Sequence, residues 1–228
     1  MVVCRQLSRW YETGAGRIAA LSELNLRIED KEFVTITGPS GCGKSTLLHL
    51  MGGLDHPSEG EIFVGEIPLH QADEKSLTHY RRHHLGLVFQ FFNLLPTMDV
   101  LENVELPLLL QGEKPATARR RAAEVLELVD LQTRHQHFPH QLSGGQMQRA
   151  AIARALVHKP SLLLADEPTG NLDSENAAKV LQTLQTIAAE GLTTMVVVTH
   201  SPTVAAAAPR QLSLLDGRLQ PEPVALKE

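Results

Sequence analysis

The run Gly38-Pro39-Ser40-Gly41-Cys42-Gly43-Lys44-Ser45-Thr46 constrains this chain more than any other stretch. It stands between an apolar run, Phe33 to Thr37, and an amphipathic one, Leu47 to Met51. Strand, glycine loop and helix in that order form a phosphate cradle. The glycines let backbone N–H groups wrap phosphate oxygens at a helix N-terminus, where the helix dipole favours anions. Residues Gly38, Pro39, Ser40, Gly41, Cys42 and Gly43 then make the wall of the cradle. Lys44 reaches the β- and γ-phosphates, Ser45 offers its hydroxyl to Mg²⁺, and Thr46 lies within reach of the α-phosphate. Cys42 reads either as an inert small spacer or as a thiol made reactive by the amides and by Lys44. In the second case oxidation or alkylation would block binding at the cradle and the bound phosphate ligand would protect.

The charge balance limits the partners. Lysine and arginine number 21 against 26 acidic residues, a formal charge of −5, so no bulk positive potential favours nucleic acid. Only two cysteines occur, one of them inside the loop, which argues against a disulfide framework and for a reducing, cytoplasmic setting. Apolar runs such as Met195 to Val198 and Leu162 to Ala165 fall far short of the roughly 20 residues of a spanning helix. The N-terminus lacks the long apolar segment and cleavage site of a signal peptide.

Along the chain, Val2 to Trp10 and Leu21 to Ile28 alternate apolar and polar residues, as half-buried antiparallel strands do. Tyr11 follows the first, as a π-face for a nucleotide base or as an aromatic packed at a sheet edge, with Trp10 as the substitute. Leu85 to Phe89 reads as a buried strand ending on Gln90. From Phe91 an inserted helical lobe is expected, with an amphipathic helix over Pro115 to Leu131. Its basic face, Arg119-Arg120-Arg121, is a solvated face or a contact for lipid or partner. His135, His137 and His140 have no acidic or thiol co-ligand nearby and read as polar loop residues. Ser143 N-caps a helix that opens with two glycines, a second helix start open to anions. Leu162 to Ala165, Asn176 to Ala189, and Thr194 to Thr199 read as strand, helix and strand. Leu212 to Leu219 reads as a hairpin turning at Asp216-Gly217, before a tail expected to fray.

Apolar strands end in turn at Lys44 and Ser45, at Gln90, at Asp166 and Glu167, and at His200. That is the pattern of a parallel α/β sheet with a ligand at its carboxyl edge. Adjacent carboxylates at the end of a leucine run call for a cation, and Mg²⁺ with a nucleotide meets that need. Asp166 would hold Mg²⁺ through water, and Glu167 would act as general base on the attacking water or orient it. Gln90 would bind Mg²⁺ or that water, Lys44 would neutralise developing charge, and His200 would donate to the γ-phosphate and hold the carboxylate that faces the water.

In this set and order the residues resemble the nucleotide-binding subunit of an ATP-binding cassette (ABC) transporter. The correspondence runs through Gly38 to Thr46, Gln90, Leu142-Ser143-Gly144-Gly145-Gln146, Leu162 to Pro168, Asn171-Leu172-Asp173 and His200. The resemblance implies a P-loop NTPase, RecA-like parallel-sheet core with a small antiparallel β subdomain, about 1–90 and 157–228. A helical subdomain, about 91–156, is inserted in it. It further implies ATP and Mg²⁺ as ligands, Tyr11 against adenine, and two cassettes, taken as a homodimer, joined head to tail. Ser143 and Gly145 of one would then face the nucleotide held by Lys44 of the other, with Asp173 across the interface. An integral-membrane subunit on a separate chain would dock near Gln90 and the helical lobe, placing this chain on the inner face of the cell membrane. Leu54-Asp55-His56-Pro57, Phe89 to Pro96 and Thr169 to Asp173 look most like the branch of macrolide exporters and lipoprotein-releasing systems. Asn171 stands where alanine is more common, and Asp30-Lys31-Glu32 lacks a usual glycine. A soluble cassette ATPase acting on nucleic acid or ribosomes is the alternative, but the long coiled coil or second cassette typical of those proteins is missing. A P-loop kinase would have no use for the helix start at Ser143.

Overall fold

The computed structural model describes residues 2–14 and 16–221. An antiparallel pair, β1 (Val2–Thr13) and β2 (Gly16–Ile28), opens the chain. β3 (Phe33–Thr37) follows and runs through the glycine loop into α1 (Lys44–Met51). β4 (Glu59–Val64) and β5 (Ile67–Pro68) return to the first pair and complete an antiparallel sheet in the order β2-β1-β4-β5. α2 (Glu74–His83) leads into β6 (Leu85–Val88), and three helices follow: α3 (Val100–Leu110), α4 (Pro115–Leu128) and α5 (Gly144–Leu156). β7 (Leu162–Asp166), α6 (Ser174–Ala189), β8 (Thr194–Val198), the single turn α7 (Pro202–Ala205) and the hairpin β9 (Arg210–Leu215) to β10 (Arg218–Leu219) close the fold.

The central sheet has the order β10-β9-β3-β8-β7-β6, and every neighbouring pair from β9 to β6 is parallel. Its strands are apolar at nearly every position because both faces are covered, as a parallel sheet requires. Side chains alternate between the faces, which divides the interior into two cores. Val34, Ile36, Leu162, Leu164, Val196 and Val198 point to one side, against α1, α2 and the antiparallel sheet. Phe33, Leu163, Ala165, Met195 and Val197 point to the other, against α3 to α6. Gly86 on β6 lets α5 come close, since a Cβ there would stand 2.4 Å from the Ala155 carbonyl oxygen.

Three segments depart from the sequence pattern. β1 and β2 extend to Thr13 and Gly16, past the alternating stretches, as a ribbon whose β2 half is exposed from Gly16 to Ala19. Backbone pairing sustains it where no core demands apolar residues. α2 buries only Leu77 and Tyr80, too few to betray a helical period, and is set by the Asp73 cap and by the Tyr80 hydroxyl donating to the Met51 carbonyl at 2.7 Å. α3 carries Pro107 in its interior, yet an Asp99–Glu102 capping box starts it. The expected helix over Pro115 to Leu131 ends at Leu128, and the tail expected to fray lies outside the described residues past Pro221.

Asn103, fully buried on α3, pins the preceding loop. Its Oδ1 accepts from the Leu95 N–H at 2.7 Å, and its Nδ2 donates to the carbonyls of Leu95, Met98 and Asp99 at 3.1, 3.0 and 2.9 Å. Asn103→Ala strands these groups and should lower the unfolding free energy by about 2–4 kcal/mol, read from the urea midpoint. His158, after α5, meets the Leu85 carbonyl through Nε2 at 3.0 Å, and burial lowers its pKa from the ordinary 6.5. The folded state therefore resists its protonation, and the stability so conferred is present above pH 6.5 and declines as pH falls below it. Urea midpoints between pH 7.5 and 5.5 should fall, and fall less in His158→Gln.

Candidate functional site

The glycine loop is wedged between two strands. Gly43 caps α1 in a left-handed conformation, φ 106°, and a Cβ there would stand 2.3 Å from the Ala20 carbonyl oxygen on β2. Gly38, φ 152°, lies equally close to β9, with the Leu214 carbonyl oxygen 2.1 Å from a Cβ. Only glycine fits either place. Lys44 is buried, and its Nζ donates to the carbonyls of Gly38 and Pro39, both at 2.8 Å, with Cys42 Sγ at 3.8 Å. Two neutral acceptors thus hold the ammonium where anionic oxygens would bind it more strongly.

Across the sheet edge, Asp166 is the last residue of β7 and Glu167 is the first beyond it. Glu167 has φ 45°, a left-handed conformation rarely adopted by a long side chain before proline. Such a backbone costs on the order of 1–3 kcal/mol and persists where the surroundings over-determine it. Here the Glu167 N–H donates to Val198 O at 2.9 Å, and its carbonyl accepts from the Gly170 N–H at 3.0 Å. Its carboxylate is held as firmly: Oε2 accepts from the buried Thr199 hydroxyl at 3.1 Å, and Oε1 lies 2.6 Å from His200 Nδ1. With Glu167 ionised, Nδ1 carries the proton of that bond, and Nε2 can donate elsewhere only if the ring carries both protons.

One cleft of about 380 Å³ gathers Ser40, Gly41, Gly43, Lys44, Ser45 and Thr46 with Gln90, Asp166, Glu167 and His200. Ser45, Gln90 and Asp166 bring hydroxyl, amide and carboxylate oxygens to it, the donor set a hard divalent cation takes. Tyr11 is not brought to the cleft wall. Its hydroxyl donates to Asp55 Oδ2 at 2.9 Å, and the Arg9 guanidinium lies 4.6 Å from its ring centre. Trp10 faces Arg17 instead. Ser143 and Gly145 do not line the cleft either. Ser143 caps α5 in a box with Gln146, while Gly145 packs so closely on Asn176 that a Cβ would meet its Oδ1 at 2.4 Å. Asp173 caps α6, and hydrogen bonds from the Asn176 backbone and side-chain amides hold its carboxyl below the usual range.

Three contributors escape sequence reasoning. Ala20 lines the cleft by its backbone approach to Gly43, which no side-chain pattern signals. Thr199 orients Glu167, and its place just before His200 at a strand end was the available clue. Asn171 exchanges hydrogen bonds with Gln90.

A glycine loop opening a helix at the carboxyl edge of a parallel sheet, with adjacent carboxylates at the end of β7, the next strand but one from β3, defines a P-loop NTPase. The chain belongs to the ABC transporter family: the family model described as "ABC transporter" matches residues 21–170. It is 48% identical over 216 residues to the lipoprotein-releasing system ATP-binding protein LolD of Bordetella pertussis, covering 95% of this chain and 94% of that protein. It is 45% identical over 229 residues to the uncharacterized ABC transporter ATP-binding protein MJ0796 of Methanocaldococcus jannaschii, covering 97% and 96%. A solved dimer of that cassette in a post-hydrolysis state, bound to ADP and Pi, superposes with a TM-score of 0.89 at 44% identity over 98% of each chain. The chain is thus the ATP-binding, ATP-hydrolysing subunit of an ABC transporter.

Both cysteines are buried, Cys42 at 4% exposure, and burial pushes the Cys4 thiol up to about 12. The reactive reading of Cys42 therefore lacks the access that attack requires. A thiol-specific chromogenic reagent should find neither cysteine in the native protein at pH 7.5 and both after unfolding in guanidinium chloride.

Proposed function

We propose that this chain powers release of lipoproteins, or of similarly anchored substrates, through a separate integral-membrane subunit, and that it works as a head-to-tail pair of cassettes. The first part rests on the likeness to LolD proteins. The second rests on one observation: Ser143, exposed at the start of α5, and Gly145, buried just behind it, stand outside the cleft that holds the phosphate loop of the same chain. A second copy would supply them, with Asp173 at the seam, and the solved relatives are dimeric. Residues 91–156 would form the signature-bearing helical subdomain on a core of 1–90 and 157–228.

In this reading the amides of Gly38 to Thr46 and the Lys44 ammonium bind the phosphates. Lys44 leaves its two carbonyls for the β- and γ-phosphate oxygens. Tyr11 stacks on adenine after its tie to Asp55 adjusts. Mg²⁺ would be held by Ser45, Gln90 and Asp166, and when bound it neutralises phosphate charge. Glu167 orients and deprotonates the attacking water, kept in place by Thr199 and His200. His200 then exchanges or shares its Glu167 bond with the γ-phosphate. Charge stabilisation of this kind, with positioning, makes up most of the catalysis in phosphoryl transfer.

The membrane partner would dock in the groove of about 360 Å³ between α2, β6, α3 and α5, where Leu106, Pro107 and Leu110 meet Arg81 and Arg154. The strongly exposed side chains of Phe91 and Leu110 suit such a contact. No helix among the described residues is long and apolar enough to cross a membrane, in keeping with a peripheral place on the inner face.

Glu167→Gln should lower kcat at least about 100-fold while leaving ATP affinity near wild type. With Mg-ATP the variant should sediment as a dimer. Turnover within a few-fold of wild type would rule out Glu167 as the base, and a monomer under those conditions would rule out pairing of identical chains.

A further inference from the structure

Asn171 lies in the loop between β7 and α6. Its side chain is exposed, yet it is committed in two directions. Its Nδ2 donates to the Gln90 backbone carbonyl at 3.1 Å, and its Oδ1 accepts from Gln90 Nε2 at 3.4 Å. Gly170 beside it leaves room for this, since a Cβ there would stand 3.2 Å from Gln90 Nε2. Two amides facing each other in this way fix which end of the glutamine is free. With its NH₂ group taken by Asn171, Gln90 has Oε1 left for the cleft it lines, and a hard divalent cation binds oxygen, never an amide NH₂.

The geometry points to Asn171 as a positioning residue for the divalent cation: it orients the Gln90 amide so that Oε1 is presented to the metal. It also ties the Gln90 backbone to the loop that starts at Glu167, through the Gly170 N–H on the Glu167 carbonyl, and ends at Asp173. An alanine at this position makes neither bond and leaves the glutamine amide to turn freely about its last torsion. The inference rests on the proposed role of Gln90 as a cation ligand.

The test uses the full chain with a non-hydrolysable ATP analogue and Mn²⁺ as the probe, free Mn²⁺ being counted by electron paramagnetic resonance. Asn171→Ala should weaken Mn²⁺ binding about five- to tenfold, the weight of one or two hydrogen bonds, with affinity for the analogue in EDTA unchanged. Asn171→Asp keeps the acceptor for Nε2 and should retain most of the affinity. Gln90→Ala should lose at least as much as Asn171→Ala, and the double variant should lose no more than Gln90→Ala alone. Wild-type Mn²⁺ affinity in Asn171→Ala with weakened binding in Gln90→Ala overturns the positioning role alone. Wild-type affinity in Gln90→Ala overturns the cation-ligand reading beneath it. Additive losses in the double variant, or an Asn171→Asp as weak as Asn171→Ala, also overturn the orientation by Oδ1.

Discussion

Close approach of the phosphate loop to two neighbouring strands is the constraint on which the architecture turns. Gly43 touches the Ala20 carbonyl of β2 and Gly38 touches the Leu214 carbonyl of β9, each nearer than any side chain allows. The loop therefore joins the antiparallel sheet to the parallel one. It holds α1 at the angle where its first N–H groups open into the cleft. The remaining machinery is placed relative to that joint. β8 lies next to β3 and β7 beyond it, and they bring His200 and the carboxylates to the same edge.

Much of this is legible in the sequence because packing and chemistry there demand particular residues. The strands of the central sheet are buried on both faces, so Phe33 to Thr37, Leu162 to Ala165 and Thr194 to Val198 announce themselves as apolar runs. The residues that end them are the polar ones the cleft gathers. α5 is equally plain, since Ser143 and Gln146 cap it reciprocally. Elements that rest on few side chains are harder to see. α2 has two buried anchors in ten residues, and its identity lies in a cap and in a tyrosine hydroxyl. α3 hides behind Pro107, whose ring is a breaker in most helix interiors. The outer half of the β1–β2 ribbon is held by backbone pairing, which leaves no mark on side-chain pattern.

Within the site the split is similar. The phosphate-loop residues, Gln90, Asp166, Glu167 and His200 are specified by residue type and spacing, and one cleft gathers them, while Tyr11, Ser143, Gly145 and Asp173 stand outside it. Groups that act through another residue are set only by tertiary contact. Thr199 and Asn171 touch Glu167 and Gln90 across 32 and 81 positions of sequence, a relation no local motif encodes. Tyr11 shows the converse. Its residue type suits stacking, but its hydroxyl is engaged by Asp55 and its ring by Arg9, and these two form a bidentate pair, Nε to Oδ2 at 2.9 Å and Nη2 to Oδ1 at 2.8 Å.

The division of the interior into two cores has a consequence for symmetry. α1 and the phosphate loop belong to the core on one face of the central sheet, and α5, with its open helix start, belongs to the core on the other. In the proposed pairing, two copies related by a twofold axis would bring these two elements together, and the same operation that completes one clamp would complete the second. Such an interface would close on itself, so the assembly would stop at two instead of growing into a filament.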